Sequence, residues 1–135
     1  MMQKSNIMQL VTDQSMLQYF DGRVEIKKMV TDALTKEVET FLVNFIDGAR
    51  TKLHYHETDQ VLIATEGKGI VALQTSVKMD NETSATVKMD EVHYLNTGDF
   101  VCVPAGNWHW HGATKGSSFA HYQIKKPGKT VWLEQ

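Results

Sequence analysis

The sequence predicts a single all-β domain, either a sandwich or a barrel, and three observations support this prediction. Short apolar runs rich in β-branched and aromatic residues follow one another from Arg23 onward, separated by turn sequences. No segment shows a long helical period of apolar residues. The 135 residues fit a single domain, and domains near this length bury roughly 70% of the surface that the unfolded chain exposes.

The strands are expected in the order in which the apolar runs occur. The first 19 residues are polar with scattered apolar side chains, a pattern compatible with a frayed terminus, a short helix or a swapped strand. We therefore divide the chain into an N-terminal extension, residues 1–19, and one β-domain, residues 20–135. The runs predicted to form strands are RVEIKKMV, EVETFLVNFI, TKLHYH, QVLIATE, GIVALQTSV, ATVKMDEVHYL, DFVCVP and SFAHYQIK. The turn sequences between them are FDG, IDG, EGKG, MDNET, NTGD and PAGN.

The tetrapeptide VKMD occurs twice, at residues 77–80 and 87–90, on either side of the polar sequence NETSAT. Two copies are too few for a repeat architecture. We expect them to form the two arms of one exposed β-hairpin.

Composition and charge exclude several classes of protein. The chain is 41% apolar and 22% charged with a net charge of -2, which is typical of a soluble globular protein. Lysine and arginine form no basic stripe, so we expect no nucleic-acid partner. Cys102 is the single cysteine, which excludes an intrachain disulfide and fits a reducing compartment. No apolar run approaches the roughly 20 residues that cross a bilayer, and the sequence therefore predicts a cytoplasmic protein without a membrane partner.

The first candidate metal-binding sequence is GARTKLHYHETDQ, residues 48–60. In a strand, residues two apart point to the same face, so His54 and His56 present their imidazoles side by side. The short turn ETD then allows Gln60, the first residue of the next strand, to return to the same point. Neutral imidazole is the commonest metal ligand, but an isolated pair of this kind could equally be a polar strand end.

The second candidate sequence, GDFVCVPAGNWHWHGA, residues 98–113, supplies another histidine pair. His109 and His111 share one face of its last strand, and Trp110 is amphipathic enough to line a pocket or an interface. His121 lies on a later strand and should return beside the site, although a lone histidine among apolar residues is more often a core residue. Cys102 alternates with valines, so we expect a small core side chain there.

Together the two sequences resemble the cupin family. Gly48, His54, His56, Gln60 and Gly67 have the spacing of the first cupin motif, and Gly98, Pro104, Gly106 and His109 have the spacing of the second. Gln60 stands where most cupins have glutamate, and Ala113 where an asparagine often closes the second motif. From about Phe20 to Trp132, GARTxxHxHxxxQxLIxTxGxG and HWHGA are similar to the manganese-dependent bacterial cupin hydroxynitrile lyases, whose amide at position 60 is itself a metal ligand.

The resemblance implies a double-stranded β-helix, or jelly-roll barrel, as the cupin domain over residues 20–135. It implies that His54, His56, Gln60 and His109 bind one divalent ion, Mn²⁺ or Fe²⁺ in the first place, with Zn²⁺, Ni²⁺ and Cu²⁺ compatible with the ligand types. It assigns proton transfer to His121 and His111. The residues expected to line the pocket are Phe41, Val43, Phe45, Leu62, Trp110 and Lys125. Lys125 and Phe41 depart from the glutamine and the small side chain of the lyases.

These ligands imply a function for the chain. Three imidazoles and one amide leave the full double charge on a divalent cation, which favours stabilisation of an anionic substrate oxygen. We expect a metal-dependent, lyase-like enzyme acting on a small hydroxy or carbonyl compound. The alternatives are an iron-dependent cupin dioxygenase and a non-catalytic small-molecule-binding or sensor protein. Small cupins pair through sheet edges, so the resemblance also implies a homodimer.

Overall fold

The computed structural model describes residues 2–74, 76–79, 85–88 and 91–133. Two short 3-10 segments, Ile7–Gln9 and Leu17–Tyr19, precede the first strand. The strands are β1 Phe20–Val30, β2 Glu39–Thr51, β3 His54–His56, β4 Gln60–Gln74, β5 Ser76–Met79, β6 Ala85–Lys88, β7 Glu91–Asn96, β8 Phe100–Val103, β9 Trp108–Ala113, β10 Phe119–Lys125 and β11 Thr130–Trp132. The predicted all-β class is confirmed.

Among the described strands, all except β5 and β6 belong to one antiparallel sheet that closes into a β-barrel. β4 is long enough to serve both halves of the sheet, since its first part pairs with β10 and β8 and its second part with β9 and β7. β2 pairs with β10 and, through Arg50 and Gly112, with β9. A Cβ atom at Gly112 would collide with the carbonyl oxygen of Ala49, so glycine allows β9 to approach β2 at this point.

Alternation along the strands sends one set of side chains into the barrel. In the first half of β2 the buried residues Phe41, Val43 and Phe45 are each separated from the next by a half-buried residue, and Ala49 and Thr51 are buried further along the strand. Phe45 is completely buried and its ring stacks on Phe119, with 6.2 Å between ring centroids. Full burial of such a side chain contributes about 1.5–3 kcal/mol of hydrophobic free energy. This apolar cluster fills one part of the barrel, and the buried histidines occupy another.

The predicted hairpin of the two VKMD sequences is confirmed for β5 and β6, which pair antiparallel with Val77 opposite Val87. Its turn, within MDNET, falls largely outside the described residues. The N-terminal segment lies against β1, where the backbone N–H of Asp13 donates to the carbonyl of Ile26 at 2.7 Å. β1 begins at Phe20, and the proposed boundary between residues 19 and 20 stays a prediction.

Cys102 corrects the sequence-based expectation of a core thiol, because it is exposed. β8 pairs with β4, and the neighbouring Val103 is buried on the inner face. Strand alternation therefore turns Cys102 outward. Among the residues that the structure describes, no helix is long and apolar enough to cross a membrane.

Candidate metal centre

Three strands bring the predicted metal ligands together inside the barrel. His54 and His56 lie on β3, Gln60 begins β4, and His109 on β9 is the direct cross-strand partner of His54. The ring centroids of His54 and His109 are 4.3 Å apart, and those of His54 and His56 are 4.9 Å apart. All four side chains are buried. The two separate sequence motifs thus contribute to a single cluster.

Hydrogen bonds made by the Nδ1 atoms orient the three imidazoles. Nδ1 of His54 lies 2.8 Å from the carbonyl oxygen of Lys52, and Nδ1 of His109 lies 2.9 Å from that of Asn107. Because a carbonyl only accepts, both Nδ1 atoms carry the hydrogen and both Nε2 atoms keep a lone pair. Nδ1 of His56 lies 2.8 Å from Oγ1 of Thr130. Such partners behind the ring are typical of metal-binding histidines.

Nε2 of His109 faces the side-chain oxygen of Gln60 at a distance of 3.1 Å. In the neutral tautomer set by Asn107 both atoms are acceptors, so neither supplies a hydrogen to the other. Among the described residues, Nε2 of His56 and Nε2 of Gln60 also lack a hydrogen-bond partner. A cation coordinated by the imidazole nitrogens and the amide oxygen would satisfy several of these buried atoms. The donor set therefore fits a divalent metal ion.

Burial keeps these imidazoles neutral. It is the main cause that lowers the pKa of His56 to about 3 and the pKa of His109 to about 4. The pKa of His54 is also far below its ordinary value, first because of burial and then because of repulsion from His109 and His56. Neutral imidazole is the form that binds metal. The site is therefore ready for a cation at neutral pH without first releasing protons.

His111 and His121 form a second histidine pair next to the first cluster. Nε2 of His121 lies 2.9 Å from Nδ1 of His111. Burial is the first cause of a low pKa at both, with the His121 pKa at about 4 and the His111 pKa well below its usual range. Nε2 of His111 has no partner among the described residues. The ring of Phe45 packs against both imidazoles, with centroid distances of 5.8 and 5.3 Å.

The structure presents two overlapping sets of three imidazoles. Ligand nitrogens of His54, His109 and His111 all lie within 4.8 Å of one another. The set predicted from the sequence contains His56 in place of His111, together with Gln60. The ring centroid of His56 is 5.4 Å from that of His109, whereas the centroid of His111 is 5.8 Å from it. His54 and His109 are common to both sets, and the third imidazole is either His56 or His111.

A small cavity of about 50 Å³ lies beside these histidines. His54, His56 and His111 face it, and its apolar wall consists of Met16, Phe20, Ile26, Phe41, Val43 and Trp132. Among the predicted pocket residues, Phe41, Val43 and Lys125 line this cavity, while Phe45 and Leu62 lie deeper in the core.

Trp110 does not line the cavity. It stands between His109 and His111 on β9, and strand alternation therefore turns it to the opposite face. There the guanidinium of Arg50 lies 3.6 Å from its ring centroid.

Sequence reasoning missed several residues of the cavity. Trp132 packs against His54 in a tilted arrangement with 4.3 Å between ring centroids. Thr130, on the same short strand β11, forms a hydrogen bond with His56. Nothing in the local pattern of that segment indicates contact with residues more than 70 positions earlier. Glu39 also lines the cavity. Strand alternation could have predicted this, because Glu39, Phe41 and Val43 are two apart and therefore point to the same face of β2.

Comparisons with known proteins agree with this geometry. The family model described as "Cupin domain" matches residues 41–121. An (R)-mandelonitrile lyase from Granulicella tundricola is 31% identical over 119 residues, which cover 86% of this chain and 80% of that protein. A cupin-like protein from Thermotoga maritima has 29% identity and a TM-score of 0.72, with 97% of this chain and 90% of that chain covered. The polyketide cyclase RemF from Streptomyces resistomycificus, at 13% identity, has a TM-score of 0.71 over 100% of this chain and 89% of its own, and shows the fold alone.

Proposed function

Because this chain belongs to the cupin family, we propose that it is a divalent-metal-dependent, lyase-like enzyme acting on a small hydroxy or carbonyl compound. His54, His56, Gln60 and His109 are the proposed metal ligands. The observation that carries the proposal is the contact between Nε2 of His109 and the amide oxygen of Gln60, two buried acceptors at 3.1 Å. The similarity to an (R)-mandelonitrile lyase supports the reaction class, with Mn²⁺ or Fe²⁺ as the proposed ion.

When bound, a divalent cation supplies Lewis-acid stabilisation of negative charge that develops on a substrate oxygen. His54, His56, Gln60 and His109 would hold this ion, which would still be able to bind an oxygen of the substrate. The amide of Gln60 is neutral, so the ligand set does not reduce the double positive charge. The three Nδ1 hydrogen bonds hold the imidazoles in place, which limits reorganisation of the site during the reaction.

His111 and His121 are the proposed proton-transfer pair. His111 faces the cavity, and its Nε2 can accept a proton from the substrate. Its Nδ1 hydrogen then passes to Nε2 of His121 across the 2.9 Å contact. Because burial keeps both rings neutral at neutral pH, a proton taken up by the pair is released again readily. Phe41, Val43 and Trp132 cover the cavity with apolar surface and exclude bulk water.

Metal analysis of protein purified without added metals tests the metal part of the proposal. We expect about one divalent ion per chain in the parent protein and almost none in His109→Ala. The matched control is His93→Gln, because His93 is an exposed histidine of β7. Full metal content in folded His109→Ala would contradict the ligand assignment.

A panel of small hydroxy and carbonyl compounds, assayed with and without oxygen, tests the reaction class. We expect turnover that depends on the metal and proceeds without oxygen. Turnover that consumes oxygen and stops in its absence would replace this proposal with an iron-dependent dioxygenase. Reversible binding of these compounds without turnover would favour a sensor or a binding protein.

A further inference from the structure

A buried ion pair lies in the wall of the same cavity. Nζ of Lys125 is 3.0 Å from Oε1 of Glu39, and the two side chains are only 4% and 15% exposed. The side-chain amide of Gln123 donates to the same oxygen at 3.2 Å. All three residues line the cavity that His54, His56 and His111 face. Neither metal coordination nor the histidine pair uses these three side chains.

The ion pair leaves one acceptor and one donor unused. The contacts of Glu39 with Lys125 and Gln123 both involve Oε1, and Oε2 has no hydrogen-bond partner among the described residues. Nζ of Lys125 contacts Oε1 of Glu39 and the carbonyl oxygen of Lys126, the latter at 3.1 Å. An ammonium has three N–H donors, so one remains. A carboxylate acceptor and an ammonium donor thus stand side by side in a cavity wall.

The strand register places this pair beside the candidate metal ligands. Lys125 on β10 is opposite Glu39 on β2 in one direction and opposite Gln60 on β4 in the other. The positive charge of Lys125 also contributes, after burial and His109, to the low pKa of His56. A ligand that fits a cavity of about 50 Å³ can therefore approach both the ion pair and the histidines.

We propose that Glu39 and Lys125 form a subsite for a hydroxyl group, and that the substrate is a small hydroxycarbonyl compound whose second oxygen reaches the metal centre. A hydroxyl is the smallest neutral group that both donates and accepts hydrogen bonds, so it satisfies Oε2 of Glu39 and the free N–H of Lys125 together. A nitrile only accepts and leaves Glu39 unsatisfied. A carboxylate also only accepts, and it is repelled by the charge of Glu39. This inference rests on the proposed function and names its substrate class.

Calorimetric titration of the Mn²⁺-loaded protein with three matched probes tests the subsite. Hydroxyacetone carries a carbonyl and a hydroxyl, acetone carries the carbonyl alone, and pyruvate carries a carboxylate instead of the hydroxyl. A hydrogen bond to a charged group corresponds to roughly a tenfold or larger change in affinity. We therefore expect hydroxyacetone to bind at least about tenfold more tightly than acetone or pyruvate.

Two variants assign that preference to the ion pair. Glu39→Gln keeps the shape but replaces one oxygen with a donor, and we expect the hydroxyacetone preference to fall about tenfold. Removal of one member of a buried pair is destabilising, whereas replacement of both by apolar side chains is often tolerated. The double variant Glu39→Leu, Lys125→Met should thus fold and bind hydroxyacetone no better than acetone. Glu25→Gln, whose side chain on β1 is 41% exposed, is the control and should keep the preference.

Metal content measured on the same samples separates the two proposals. Equal binding of hydroxyacetone and acetone by metal-loaded protein would overturn the subsite alone, as would tighter binding of pyruvate. If the parent protein binds neither metal nor any of the three probes, both the subsite and the proposed function are contradicted.

Discussion

The side-chain oxygen of Gln60 lies 3.1 Å from Nε2 of His109, and both side chains are almost completely buried. Nδ1 of His109 donates to the carbonyl of Asn107, which leaves a lone pair on the nitrogen that faces the amide. Burial lowers the pKa of His109 to about 4, so at neutral pH no proton lies between its Nε2 and the amide oxygen. A neutral amide thus occupies a position from which its oxygen can join three imidazoles around a cation.

Gln60→Glu tests whether the neutral charge of the amide matters. A carboxylate in this position should bind a divalent cation as tightly as the amide or more tightly, because it adds a negative charge at a similar distance. The same charge should weaken stabilisation of an anionic substrate oxygen, and we expect kcat on a substrate from the panel to fall about tenfold or more. Calorimetric metal titration and steady-state kinetics measure the two effects. Unchanged kcat with metal fully bound would show that the ligand's charge has no role.

His56→Ala and His111→Ala distinguish the two overlapping imidazole sets. If His56 is the third ligand, its removal should reduce the metal content of purified protein from about one ion per chain to a small fraction. His111→Ala should then keep its metal and lose activity, because the proposed proton acceptor is gone. Elemental analysis with activity measurement checks both outcomes. The reverse pattern of metal loss would assign the site to His54, His109 and His111.

Acid should destabilise the metal-free protein below about pH 6.5. Burial, the main cause in each case, lowers the pKa of His56 to about 3 and the pKa values of His109 and His121 to about 4. An unfolded chain has histidine pKa values of about 6.5. Above that pH the histidines are neutral in both the folded and the unfolded chain. The folded protein then has its full stability with respect to histidine protonation. Between about pH 6.5 and 4 the unfolded state binds more protons, so each buried histidine removes up to ~1.4 kcal/mol of stability per pH unit.

Urea unfolding of metal-free protein at pH 7.5, 6 and 5 measures this dependence. We expect the free energy of unfolding to fall steadily from pH 7.5 to pH 5. His121→Phe removes one of the titrating groups and should reduce the slope, whereas His93→Gln changes an exposed residue and should leave it as in the parent. A stability that is constant over this range would mean that the buried imidazoles bind protons as readily as those of the unfolded chain.

Local patterns predicted the barrel and the histidine cluster because both depend on strand alternation. His54 and His56, and likewise His109 and His111, are two apart on strands that have one face in the core. The expectation that Trp110 lines the pocket was wrong, because alternation turns a residue between two inward histidines to the opposite face. Thr130, Trp132 and the partnership of Glu39 with Lys125 were missed, since they depend on which distant strands become neighbours. A sequence without that register does not show which strand faces His56 or Lys125.

The hydrogen bond between Thr130 on β11 and the proposed ligand His56 is predicted to increase the metal affinity. Its Oγ1 is 2.8 Å from Nδ1 of His56, and the two residues are direct cross-strand partners. Thr130→Val keeps the shape and removes the oxygen, so His56 loses the hydrogen bond that orients its ring. Loss of such a partner typically lowers metal affinity 10- to 100-fold, and we expect that decrease in a calorimetric titration with Mn²⁺. Thr130→Ser retains a hydroxyl and should keep most of the affinity, while equal affinities of the valine and serine variants would show that the hydrogen bond to His56 does not contribute.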